Sequence, residues 1–263
     1  MKKLLLAGVL TWLLLPTLAA AQKQFDGTWK FEPKTLQFDK KPDEYLLQNG
    51  RYDCKTCGPP ISIKADATDQ KVTGYPYFDT MSIKVVDDHT VEMTQKRDGK
   101  VVGTEKDSIS ADGKTLTVNW TDSGNPSGGT QKGTFMMTRV EKGPAGANLI
   151  SGSWRAEKME QSTQSGLMWT FKISGDTVTM TTATGQSYTA RLDGTEAPYD
   201  GYPGITSVSV KMAGKDTLVE TDKRDGKEIY ILTMTVTPNG RTMKIVMDDK
   251  LEGKTTKGDA MKQ

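Results

Sequence analysis

Apolar and polar residues alternate with a period of two along most of this chain. Met81, Ile83 and Val85 share one face of a segment whose other face carries Ser82 and Lys84. Val208, Val210 and Met212 do the same against Ser209 and Lys211. Leu116, Val118 and Trp120 form a third such face, and Ile61, Ile63 and Ala65 a fourth. A strand sends successive side chains to opposite sides, so this pattern predicts half-buried β-strands. Asp98-Gly99, Asp112-Gly113, Asp225-Gly226 and Asn239-Gly240 punctuate the segments and are tight-hairpin signals. No stretch holds a helical period. The count is about eight or nine strands in each half, joined mostly by short turns. The predicted fold class is therefore all-β, an antiparallel up-and-down meander. Closure into a barrel would remove its exposed edges, and a two-sheet sandwich is the alternative.

The pattern occurs twice. Lys96-Arg97-Asp98-Gly99-Lys100 returns as Lys223-Arg224-Asp225-Gly226-Lys227, and in the same register Gly74-Tyr75-Pro76 returns as Gly201-Tyr202-Pro203. Leu116, Val118 and Trp120 correspond to Met243, Ile245 and Met247, and Ile61, Ile63 and Ala65 to Tyr188, Ala190 and Leu192. An ungapped match over this span indicates a tandem duplication. We read domains over residues 22–140 and 150–263, with a Gly/Pro-rich linker over 141–149. Residues 1–21 form a basic start, an apolar run and a small-residue cleavage pattern, which predicts a secretory signal peptide and a periplasmic or secreted protein. The apolar run is short for a bilayer span, and no membrane span is expected in the mature chain.

Composition narrows the partners. The chain has 35 Lys+Arg and 33 Asp+Glu, and without Lys2 and Lys3 it is formally neutral. A neutral chain with interspersed signs lacks the basic footprint of a nucleic-acid binder.

Gly27-Thr28-Trp29 and Gly152-Ser153-Trp154 each open one copy. Gly-x-Trp on the first strand of a meander barrel resembles the lipocalin (calycin) signature, and the duplicated chain resembles exported bacterial proteins described as lipocalin-like. The resemblance implies two up-and-down β-barrels. It also implies that Trp29 and Trp154 close barrel ends and that an Arg from the last strand packs over the ring. Arg139 is the matching Arg of copy one; copy two ends in Met261-Lys262-Gln263 and has no Arg there. The family's second motif, Thr-Asp-Tyr, is missing from both copies. The resemblance further implies a small apolar or amphipathic ligand, the alternative being a structural or interaction module of the cell envelope with none.

The residues offer little catalytic machinery. His89 is the chain's single histidine and sits in a turn; no nucleophile elbow or zinc motif is present. An enzyme is the least favoured reading, and no cofactor or metal is expected. Cys54 and Cys57 fall where copy two has an ordinary turn, Thr181 to Thr184, which favours a structural disulfide in an oxidising compartment. Redox chemistry would need the first thiol at a helix N-terminus. The methionines of copy two read as core filling.

Two features remain as binding candidates. Tyr75 and Tyr202 lie in equivalent loops and could meet a ligand at a barrel rim or plug the barrel end. Glu105 and Asp107 occupy a strand face whose counterpart in copy two is Leu232 and Met234. We favour an exposed edge strand for them; an inward face would make them a polar cavity or a site for a basic ligand.

Overall fold

The computed structural model describes residues 23–263, and the signal peptide read over residues 1–21 lies outside them. Twenty strands account for nearly all the regular structure. The first ten are β1 (Gly27–Phe31), β2 (Asp43–Gln48), β3 (Arg51–Cys54), β4 (Ile61–Lys64), β5 (Gln70–Lys71), β6 (Thr80–Asp87), β7 (Thr90–Arg97), β8 (Lys100–Ile109), β9 (Thr115–Asp122) and β10 (Gln131–Lys142). The second ten are β11 (Gly152–Ser162), β12 (Met168–Ser174), β13 (Thr177–Thr182), β14 (Ser187–Arg191), β15 (Asp193–Asp200), β16 (Ser207–Met212), β17 (Thr217–Arg224), β18 (Lys227–Val236), β19 (Thr242–Asp249) and β20 (Lys254–Lys262). Every pairing is antiparallel and nearly every strand pairs with its neighbours in sequence, as the meander pattern requires.

The strands build two barrels of ten strands each. One is closed, in the order β1-β12-β13-β14-β15-β16-β17-β18-β19-β20. The other runs β4-β3-β2-β11-β10-β9-β8-β7-β6-β5 and is nearly closed, with a gap between β4 and β5. Both exceed the eight or nine strands counted from the alternation, because pieces as short as Gln70–Lys71 carry too few residues to show a period.

The repeats and the barrels divide the chain differently. The first strand of each copy has crossed to the other copy's barrel. Strand β1 pairs with β12 and β20, so Trp29 faces Trp169 and Lys262. Strand β11 pairs with β10 and β2, so Trp154 faces Arg139 and Asp43. The segment read as a linker is the loop of the β10–β11 hairpin inside the nearly closed barrel, where Lys142 faces Gly152 across the turn. The chain passes between barrels instead at residues 32–42 and 163–167, each carrying a short 3-10 turn, Pro33–Thr35 and Gln164–Leu167. A short hairpin is the least costly way to continue a long strand, so β10 takes the strand that follows it. The first strand of the chain is left to fill the vacancy in the second barrel, an intramolecular strand exchange.

The inward faces agree with the alternation. Met81, Ile83, Leu116, Ile61 and Ile63 lie in one core, and Val208, Val210, Met243, Ile245, Tyr188 and Ala190 in the other. Of the copy-two methionines read as core filling, Met180, Met234 and Met243 are core residues, Met212 and Met247 are partly buried against the core, and Met261 is 37% exposed, a correction to that reading. Val85 is the exception, 43% exposed, because the β6–β7 register shifts between Val85 and Asp87. Cys54 and Cys57 form a disulfide in the turn after β3. Among the described residues no helix is long and apolar enough to cross a membrane.

Each barrel end is sealed the same way. Trp29 and Trp154 are buried, and each donates its indole N–H to the carbonyl four residues earlier, Phe25 at 2.8 Å and Ile150 at 2.7 Å. Arg139 lies 3.9 Å from the centroid of Trp154, and Lys262 lies 5.2 Å from that of Trp29. Arg139 therefore caps the tryptophan of the other copy, and Lys262 takes the place where no Arg stands.

Candidate functional site

The opposite ends of the barrels are not filled. Val118 and Trp120 on β9, Tyr230 on β18 and Met247 on β19 point inward by alternation, yet all are only half-buried. Trp120, Tyr230 and Met247 line a set of adjoining cavities between and within the barrels. One, of about 330 Å³, lies inside the closed barrel and is walled by Trp169, Tyr199, Tyr230 and Met247. A second, of about 340 Å³, joins Glu105, Gly103 and Trp120 of the nearly closed barrel to Gln186 and Tyr202 of the closed one. A third, of about 370 Å³, is more apolar and runs from Trp120 and Met159 to Trp169, Leu232 and Met247. Tyr202 is common to the first and second, Trp120 to the second and third, and Trp169 to the first and third. The barrels thus share one chamber with an aromatic lining. The β9–β10 loop of one barrel roofs it, with the Ser127 amide bonded to the Thr184 carbonyl of the other at 3.2 Å.

Two carboxylate pairs stand in this interior. Strand β8 is bonded to β7 on one side and β9 on the other, so the edge-strand reading of Glu105 and Asp107 is corrected: their face points inward. Asp107 is 2% exposed, and Glu105 reaches the chamber wall. The second pair, Glu220 and Asp222 on β17, was not anticipated; both are buried and both line the cavity of the closed barrel. Its signal was present, as charges at inward positions beside Leu218, with Met93 and Gln95 as repeat counterparts.

The two pairs occupy related places. Glu105 faces Met93 across β7–β8, and Glu220 faces Leu232 across β17–β18. By the repeat, Met93 is the equivalent of Glu220 and Leu232 the equivalent of Glu105. Each barrel therefore carries one glutamate on the same rung of the same hairpin, from opposite strands.

Among the described residues no Lys or Arg forms an ion pair with either pair. Burial raises all four carboxyl groups, and within each pair the glutamate's charge raises the aspartate further. Tyr188 donates to Glu220 Oε2 at 2.5 Å, which lowers that group and partly offsets its burial. One oxygen of Asp107 and one of Asp222 have no hydrogen-bond partner in the protein. A buried carboxyl oxygen with no partner is costly, on the order of 1–3 kcal/mol, unless something else fills the place.

The equivalent tyrosines have parted roles. Tyr202 stands at the chamber, with Tyr77 at 5.0 Å and Tyr199 at 6.4 Å between ring centroids. Tyr75 is tucked against its own barrel, stacked on Phe78 at 4.7 Å with its hydroxyl donated to the Pro59 carbonyl, and does not line the chamber. Burial pushes its hydroxyl up to about 12. His89 lies in the β6–β7 turn with Nδ1 at 3.0 Å from the Ile109 carbonyl. Among the described residues no three His, Cys, Asp or Glu side chains form a metal cage.

A larger depression, of about 650 Å³, lies on the outer face of β7 to β11. It is open to solvent, and its polar side chains satisfy one another, as Thr104 with Thr121 at 2.6 Å and Thr134 with Asn119 at 2.9 Å. The chamber, with Asp222 and its unpartnered oxygen in the lining and its aromatic walls, is the better-built site.

Compared with known proteins, the chain matches no family model, no curated protein sequence and no solved structure.

Proposed function

We propose that this protein is an exported carrier that holds one small amphipathic molecule in the chamber between its two barrels. The observation that carries this reading is the half-buried aromatic set Trp120, Trp169, Tyr199, Tyr202 and Tyr230, which lines adjoining cavities instead of closing into a core. Large side chains left partly uncovered inside a barrel are apolar surface awaiting a partner, at roughly 25 cal/mol per Å² of area covered. The buried acids in the same lining supply the polar contacts that orient a ligand. Export is consistent with the Cys54–Cys57 disulfide, since such bonds persist in oxidising compartments.

Native mass spectrometry of protein purified from the exported fraction, followed by a denatured spectrum of the same sample, tests the carrier. A non-covalent mass lost on denaturation is expected. A bare polypeptide that also fails to bind amphipathic dyes would overturn the reading and favour a ligandless envelope module.

A further inference from the structure

The chamber is selective in its charge, although the mature chain is formally neutral. Five acids, Glu105, Asp122, Glu220, Asp222 and Asp249, line its three cavities, against the two bases Arg97 and Lys257. Arg97 is already engaged, its Nη1 donating to the Pro76 carbonyl at 2.6 Å. Asp222 is 4% exposed, lines the cavity, and has a buried oxygen without a partner. Around it stand aromatic faces, Trp169, Tyr199 and Tyr230, of the kind that attract organic cations. The nearly closed barrel repeats the arrangement independently, with Glu105 at the chamber wall and Asp107 carrying a buried unpartnered oxygen. The repeat places these acids on opposite strands of the hairpin, so the second pair is not a mere copy of the first. Buried acids on the walls of adjoining cavities, Glu220 and Asp222 in the closed barrel and Glu105 in the other, match a ligand with two positive charges.

We propose that the ligand is an elongated organic dication, with one protonated amine on Glu220 and Asp222, the other on Glu105, and its hydrocarbon body along Trp120, Trp169 and Tyr202. This rests on the carrier reading and deepens it. The ammonium groups donate to the carboxylates that line the cavities, and any proton shared within a pair is released as the cation arrives. Tyr188, Tyr199, Tyr202, Tyr230 and Asp249 are further titratable groups at the closed-barrel end, and Tyr45 and Tyr52 stand near the other pair.

Isothermal titration calorimetry of the full mature protein with decamethylenediamine, decylamine, decanol and decanoate tests this. The diamine should bind roughly tenfold or more tightly than decylamine, and decylamine roughly tenfold more tightly than decanol or decanoate. Asp222→Asn and Glu105→Gln should each weaken the diamine roughly tenfold or more while leaving decanol unchanged. Far-UV circular dichroism and urea midpoints of the variants show that they are folded. Equal binding of decylamine, decanol and decanoate would overturn the dication and leave the carrier standing. Equal binding of decylamine and the diamine would overturn the two-ended ligand, and binding of none would overturn the dication, the carrier being decided by the native mass spectrum and dye binding.

Discussion

The guanidinium of Arg139 lies 3.9 Å from the centroid of the Trp154 ring, although the two residues belong to different copies of the repeat. They meet because β11 completes the barrel that β10 belongs to, while Trp29 completes the other under Lys262. Each barrel is sealed by a residue its own repeat does not supply.

Interlocking of this kind predicts that the copies cannot be parted without unfolding. A protease site placed in the loop over residues 143–149 cuts the chain between β10 and β11. The two pieces should still co-elute as one particle in native buffer, because β1 and β11 are each inserted in a barrel made mostly of the other piece. Elution as two separate folded species would show that the strands are not exchanged.

The two caps should differ in weight. Arg139 covers Trp154 and also donates to the carbonyls of Gly113, Leu149 and Ser151, whereas Lys262 covers Trp29 at 5.2 Å and donates to the Gln24 carbonyl. Arg139→Ala is expected to cost about 2–3 kcal/mol of unfolding free energy, for a cation over a ring plus charged hydrogen bonds. Lys262→Ala should cost about 1 kcal/mol or less. Urea denaturation of both variants measures the difference, and equal losses would mean that the guanidinium's backbone bonds add nothing.

How much of this was legible in the residues depends on what each signal measures. Alternation reports which side chains share a face, so the inward rows through Ile83, Leu116, Val208 and Met243 were read correctly. It cannot report which of two near-identical barrels a strand joins, because Trp29 and Trp154 meet the same surroundings in either arrangement. Glu105 and Asp107 stood out only as a departure from Leu232 and Met234; judged alone, two acids on a strand look solvated, and the edge reading followed. Glu220 and Asp222 needed the same comparison in the opposite direction. Tyr75 and Tyr202 were equal in sequence, and only the packing of Pro59 and Phe78 around Tyr75 separates them.

The buried acids set an unusual dependence on pH. Glu220 and Asp222 hold their protons more tightly in the folded chain than in the unfolded one, where carboxyl groups titrate near about pH 4. The folded state therefore binds more protons, and stability falls as pH rises. The contribution is complete below about pH 4 and is lost as the pH climbs through neutrality into the alkaline range. Between about pH 5 and about pH 9 the loss should be on the order of 2 kcal/mol, read from urea midpoints. Asp222→Asn, which cannot ionise, should flatten that slope. A slope of opposite sign, or one that Asp222→Asn leaves intact, would show that these groups are charged and compensated in the native protein.

Trp120 owes its place at the chamber wall to the residue opposite it. Gly133 faces Trp120 across β9–β10, and a Cβ added there would lie 2.7 Å from the indole Nε1, inside the space the ring occupies. The absent side chain lets the ring lie flat on the neighbouring strand and stack towards Phe135, with 6.5 Å between centroids. Backbone strain is not the issue at Gly133, since its φ is not in the left-handed region. Gly133→Ala should therefore push the indole off the wall and cost about 1–3 kcal/mol, the usual range for overpacking. It should also shift tryptophan emission and weaken binding of any ligand whose body lies along this wall. Trp120→Ala removes the clash, so adding Ala at position 133 in that background should cost almost nothing further. The two substitutions would then be strongly non-additive in a double-mutant cycle. Additive losses would mean that Gly133 is required for some reason other than the seat of Trp120.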